Sequence, residues 1–290
     1  MLSVSSARKA VPTPDAFGVI SRDFAVPAGD RCRIPRDWIE NPGNLKGSFS
    51  NPPTGSAADS TDVMHDALKE KAGVKRWDQS ATSDALEVRH VPARPRAALL
   101  VLPDGPETSQ RGVWPWHLSV LRMRPVLRAA SCAVCLQQTL LGHVHYRSRG
   151  WNQGAAVDDV LRALNDLDRL AGRLRTVLVG HGMGARAALQ AAVHPQVCGV
   201  VGLAPWLPDH EPVVQLTGHG LLLVQSVDSV TGVDRAREYA LRARTAGARA
   251  DVQLVRGEDA WMLRHSAVWH RAAATGVRRM LALHDQGTKA

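Results

Sequence analysis

The chain has 290 residues, 44% of them apolar, and a formal net charge of +9. That length can hold one large α/β domain with residues to spare, and no stretch reaches the roughly 18 to 20 apolar residues of a membrane span. No apolar run of signal-peptide length opens the sequence, so the expectation is a cytoplasmic protein without a transmembrane segment, a cofactor or a metal. The positive charge permits weak attraction to nucleic acid or anionic lipid. The basic residues are nevertheless spread along the chain without a binding motif, so specific nucleic-acid binding is not expected.

Residues 1–60 read as an irregular extension. Breakers recur in Pro12-Thr13-Pro14, Asn41-Pro42-Gly43 and Asn51-Pro52-Pro53-Thr54-Gly55, and all three phenylalanines (Phe17, Phe24, Phe49) lie here. Residues 61–85 read as a short helical linker, and 86–290 as the folded domain. Leu86 to His90 alternates apolar and polar residues as a strand does. Ala97 to Leu102 is a continuous apolar run, as in a central parallel strand covered on both faces. Trp116 to Ala130 has helical spacing, with Leu118, Leu121, Val126 and Ala129/Ala130 on one face and a bend or restart at Pro125. Cys132 and Cys135 have C-x-x-C spacing without a second pair, so buried small residues are favoured over a metal site.

Thr139 to Arg147 reads as the next strand. It places His143 and His145 on one face, where two histidines can begin a metal site but more simply pack. Asp158 to Leu170 is an amphipathic helix with Val157, Val160, Leu161, Leu164, Leu167 and Leu170 on its apolar stripe. At 176–189 an apolar strand runs through Gly180-His181-Gly182-Met183-Gly184 straight into an Ala-rich helix. Strands at Gly199–Leu203, Leu221–Val224 and Asp251–Val255 follow, with helices at Asp234–Thr245 and about Ser266–His284. Alternating strands and helices predict an α/β architecture with a doubly wound, mostly parallel sheet. Only Leu207 to Thr217 follows the Gly199 strand, too little for a large lid.

From about residue 86 to 283 the chain resembles the α/β-hydrolase superfamily, and most nearly actinobacterial members of its serine-aminopeptidase and monoglyceride-lipase-like branch. The resemblance is carried by Trp114-Pro-Trp116, Leu121-Arg-Met123, Tyr146-Arg-Ser-Arg-Gly-Trp-Asn152, the Gly180–Gly184 turn, Leu203-Ala-Pro-Trp-Leu-Pro208 and Met262-Leu-Arg264. In that superfamily the turn is the nucleophile elbow, G-x-S-x-G. Gly182 stands at the serine position. The resemblance implies that Asp228 keeps the acid position and that Ala260 occupies the histidine position, with Asp259 one residue away. The oxyanion loop would comprise Asp104, Gly105 and Met183. Its usual His-Gly is Pro103-Asp104 here: Pro103 has no N–H to donate, and Asp104 adds negative charge where an oxyanion should form.

Other groups near these positions are weaker candidates. His265 and His181 are possible bases, and Ser226 and Ser229 possible nucleophiles, but none sits on a strained exposed turn. Asp104, Asp228, Glu258 and Asp259 stand on loops at the mouth of the sheet, where an acidic cluster can attract a cation or a basic partner. His181, Trp206 and Trp261 are expected to line a pocket. Trp114, Trp116 and Trp151 stand at the same edge of the sheet, either lining that pocket or packing in the core. The expectation is therefore a pseudoenzyme that has lost serine-hydrolase activity and binds a small apolar ligand or a protein partner. The alternative is a residual or atypical hydrolase acting on a small ester, amide or acyl substrate. A third class is a weak basic nucleic-acid or membrane-surface binder.

Overall fold

The computed structural model describes residues 83–114, 116–256 and 266–287. The expected extension over 1–60 lies outside the described residues, as does nearly all of the 61–85 linker. Residues 83–85 are not helical, and Ser83 Oγ accepts the Ala85 and Leu86 N–H groups at the start of the first strand. Also outside are Gly257 to His265, and with them Glu258, Asp259, Ala260, Trp261 and His265.

Seven strands and five α-helices make up the described domain: β1 (Leu86–His90), β2 (Ala97–Leu102), α1 (Leu118–Ser131), β3 (Thr139–Val144), α2 (Ala155–Ala171), β4 (Arg175–His181), α3 (Met183–Ala191), β5 (Val197–Leu203), β6 (Gly220–Ser226), α4 (Val230–Thr245), β7 (Arg249–Val255) and α5 (Ser266–Gly287). One sheet in the order β1-β3-β2-β4-β5-β6-β7 contains them, with β1 antiparallel to β3 and all other pairs parallel. The expected doubly wound architecture is present. Every residue of β2, β3 and β6 is buried, as parallel strands covered on both faces require.

Side chains alternate between two cores. Leu100, Leu102, Leu178, Val200, Leu221 and Leu223 pack with α2, α3 and α4 on one face. Leu99, Val101, Val177, Val179, Val201 and Val224 pack with α1 and α5 on the other. The stripe read on α2 is confirmed in Val160, Leu164 and Leu167 at full burial and Val157, Leu161 and Leu170 at its margin. The buried Asp159 was not anticipated. Its carboxylate accepts the Arg147 backbone N–H at 2.9 Å and pairs with Arg147 Nε at 2.6 Å, fixing the turn after β3.

Three local expectations are corrected. Helix α1 does not restart at Pro125 but continues through it, with this residue exposed. Its buried stripe is Val120, Met123, Val126/Leu127 and Ala130, while Leu118 is 73% exposed at the first turn. Cys132 and Cys135 are exposed rather than buried, since the helix ends at Ser131 and both follow in the turn beyond it. His143 and His145, read on one face, both lie beside Glu87. The first is buried, and the second pairs with Glu87 at 2.9 Å. Among the described residues no group of three or more potential ligands is placed to hold a metal, and no helix is long and apolar enough to cross a membrane.

Burial, with Arg89 and Arg124 repelling a further positive charge, pushes the His143 imidazole down to about 3, against a partial pull from Glu87. The folded chain keeps this ring neutral while the unfolded chain protonates it near 6.5. Stability from this group is therefore whole above pH 6.5 and is lost as pH falls toward 3. Urea unfolding at pH 7, 5 and 4 is expected to show His143→Leu losing less stability than the native chain over that interval, by about 1–3 kcal/mol.

Candidate functional site

In the sheet order, β2 is flanked by β3 on one side and β4 on the other. The chain leaves β2 toward α1 on one face and leaves β4 toward α3 on the opposite face. Between the carboxyl ends of two such strands the loops diverge and a crevice opens. Leu102 pairs in register with Gly180, so the next residues of each strand meet at this crevice.

The turn from β4 into α3 is very tight. A Cβ on Gly180 would strike the backbone of Gly184 and Ala185, and one on Gly184 would lie 2.6 Å from the Leu102 carbonyl and closer to that of Pro103. Glycine at both positions lets α3 start directly against the end of β2. Between them Gly182 has φ +52° and ψ −115°, a backbone state that costs an L-residue energy and suits glycine. It is tied on three sides. Its N–H donates to the Leu203 carbonyl at 3.0 Å, while its own carbonyl accepts from Trp206 N–H at 3.1 Å and Arg186 N–H at 3.3 Å.

Asp104 fills the space above it. A Cβ on Gly182 would lie 2.5 Å from Asp104 Cγ and closer still to Oδ1. Oδ1 accepts the Met183 N–H at 2.8 Å, the first amide of α3, where a helix N-terminus favours an anion. Oδ2 lies 3.7 Å from Nδ1 of the buried His181. Gly105 follows against the Met183 side chain and the Arg149 carbonyl. The expected oxyanion-loop residues Asp104, Gly105 and Met183 are therefore in one place, with Asp104 on the amide rather than merely near it.

Tyr146 is a neighbour the sequence did not single out. Its ring is buried, and burial together with the Asp104 and Asp159 charges pushes its phenol well above the usual range. It stays neutral at any physiological pH. The only earlier signal was its place in the Tyr146–Asn152 motif.

Asp228 lies just beyond β6, exposed, with Ser226 Oγ donating to its Oδ2 at 3.3 Å and accepting its N–H at 3.2 Å. Ser226 is thus a turn-forming partner of Asp228. Trp206 is half-buried. Its ring meets Trp151 edge-on at 6.0 Å, and the Arg186 guanidinium lies over both rings, 3.9 Å from that of Trp151 and 4.7 Å from that of Trp206. Arg186 also pairs at 2.7 Å with the buried Glu211, which accepts from Gln190 as well. This cluster, unforeseen as a unit, fastens the β5–β6 connection to the elbow helix. A depression on the Asp104 loop is lined by polar Thr108, Ser109, Gln110, Asn152 and Gln153 instead.

No family model matches the sequence, and no curated protein does. Solved structures do match in fold. An esterase/lipase from an uncultured bacterium superposes with a TM-score of 0.52 at 15% identity, over 81% of this chain and 95% of that one. A hormone-sensitive lipase from a metagenome library gives 0.51 at 14% identity, over 78% and 99%. The chain has the α/β-hydrolase fold, and identity this low speaks for the fold alone.

Two outcomes follow from the site geometry. Gly182→Ala meets both the Asp104 carboxylate and an unfavourable φ, so chemical denaturation is expected to show a loss above about 2 kcal/mol. In an Asp104→Gly background the cost falls to the roughly 1–2 kcal/mol of the left-handed backbone. Glu211→Ala strands the half-buried Arg186 and is expected to cost about 3–5 kcal/mol in the same assay.

Proposed function

We propose that this α/β-hydrolase-fold protein is a pseudoenzyme whose crevice no longer performs serine hydrolysis and serves a binding role. The observation that carries this is the Asp104 carboxylate, seated where a side chain at 182 would stand and holding the Met183 amide. Acyl transfer by an elbow serine needs a nucleophile there, a base beside it and free N–H groups for the developing oxyanion. Gly182 offers no nucleophile. The amide after it already serves an anion, so a substrate carbonyl would have to displace a carboxylate to reach it. Pro103 contributes no second donor. Ala260, the position the resemblance assigns to the histidine, has no base to offer.

The binding role favours a protein or surface partner over a small apolar ligand. Trp206, the pocket residue expected to receive such a ligand, already spends its ring on Trp151 and Arg186.

The test is hydrolysis of a short and a long p-nitrophenyl ester by three proteins beside a mock preparation. The native chain is expected to stay at mock level. Gly182→Ser with Ala260→His is expected to remain silent or nearly so, because Asp104 still holds the oxyanion amide. Adding Asp104→Gly frees that donor and is expected to raise the rate about 100-fold or more over the double variant, the usual worth of an oxyanion donor. Hydrolysis by the native chain above mock level would overturn the proposal in favour of an atypical hydrolase.

A further inference from the structure

The structure segregates charge in a way the sequence does not display. Helices α1 and α5 pack together on one face of the sheet. Arg122, Arg124 and Arg128 lie on α1, and Arg271, Arg278 and Arg279 on α5. Among the described side chains of these two helices there is no Asp or Glu. The opposite face is mixed: α2 sets Asp158, Asp159, Asp166 and Asp168 against Arg162 and Arg169, and α4 sets Asp234 and Glu238 among its arginines. No acid occurs anywhere from Thr108 to Val157, a span that also holds Arg111, Arg147 and Arg149. Arg128, Arg271, Arg278 and Arg279 are exposed, and Arg279 pairs with Asp251 of β7.

The N-terminal end of α1 is exposed and apolar. Trp114 and Trp116 are 56% and 65% exposed and stacked, with ring centroids 5.0 Å apart and an interplanar angle of 17°; Leu118 beside them is 73% exposed. The turn that presents them is closed from both sides. Trp114 N–H donates to His117 Nδ1 at 3.1 Å, and His117 N–H donates to the Trp114 carbonyl at 3.0 Å. Trp114 is thereby tied to the start of α1, which lowers the ordering cost of binding through its ring.

We propose that Trp114, Trp116 and Leu118, with the arginines of α1 and α5, form a docking surface for an anionic lipid bilayer. Tryptophan favours the headgroup boundary of a bilayer, where its apolar body is buried and its N–H stays wet. Exposed arginines on two helices that carry no acid among their described side chains, Asp251 of neighbouring β7 pairing with Arg279, are drawn to anionic headgroups, each worth about fivefold in affinity near the surface. Leucine beside the pair suits acyl chains and offers nothing to a phosphate backbone. Two tryptophans stacked on each other have one ring face each already covered, which suits wedging into a boundary better than receiving bases between them. The proposal goes beyond the reading of the elbow and does not depend on it.

The test is co-sedimentation of the full chain with vesicles of phosphatidylcholine alone and of phosphatidylcholine with roughly one third phosphatidylglycerol. Binding to the anionic vesicles only is expected, weakening as salt is raised from about 0.1 to about 0.5 M. Trp114→Ser with Trp116→Ser is expected to lower partitioning about tenfold with an unchanged thermal melt, since both rings are exposed. Arg271→Glu with Arg278→Glu is expected to lower it at least as much. A native chain that stays in the supernatant with anionic vesicles overturns the proposal. Undiminished binding by the tryptophan variant overturns it too. So does a preference for duplex DNA at the same salt, which would assign the basic face to nucleic acid.

Discussion

The close approach of the β4–α3 turn to the end of β2 governs the rest of the site. Gly184 removes a Cβ that would hold the helix away from the end of β2, and Gly180 one that would strike the start of α3. With the Leu102 and Pro103 carbonyls against α3, residue 104 emerges directly over residue 182, and their side chains compete for one volume. Here the volume goes to the carboxylate. Several features become intelligible as company for it: the first amide of a helix, a buried imidazole within ion-pair distance and a phenol that burial keeps neutral. The crevice thus holds a permanent negative charge against the first amide of α3.

Two other arrangements keep this mouth in shape. The Arg186 guanidinium joins the elbow helix to Glu211 through charge and to Trp151 and Trp206 through their ring faces, so the connection after β5 is pinned without a lid domain. On the other side of the sheet, α1 and α5 bury an apolar seam that includes Met123, Trp269 and Met280 and turn arginine outward. The sheet thus carries a rim braced by charge and ring contacts at its carboxyl edge and exposed arginines on its α1–α5 face.

Strand order and core were legible because burial on both faces leaves long apolar runs, as in Ala97–Leu102, and because the elbow glycines have few alternative uses. The vacancy at Gly182 was legible too. What stood there was only half legible: Asp104 was identified as a misplaced charge, but the acceptance of the Met183 amide depends on residues 79 apart in sequence meeting at a sheet crevice. Leu118 and Cys132/Cys135 were misassigned for a shared reason, since each sits at an end of α1, where periodicity carries no information about what lies beyond the helix. The segregation of charge was invisible in one dimension because α1 and α5 come from distant parts of the chain.

The Asp104–Gly182 exclusion also sets the order in which the two positions can be altered. A side chain at 182 and the observed pose of Asp104 cannot coexist. A serine installed at 182 alone meets an occupied site, whereas removal of the acid first opens the volume for it. Each residue thus fixes what the other position can hold.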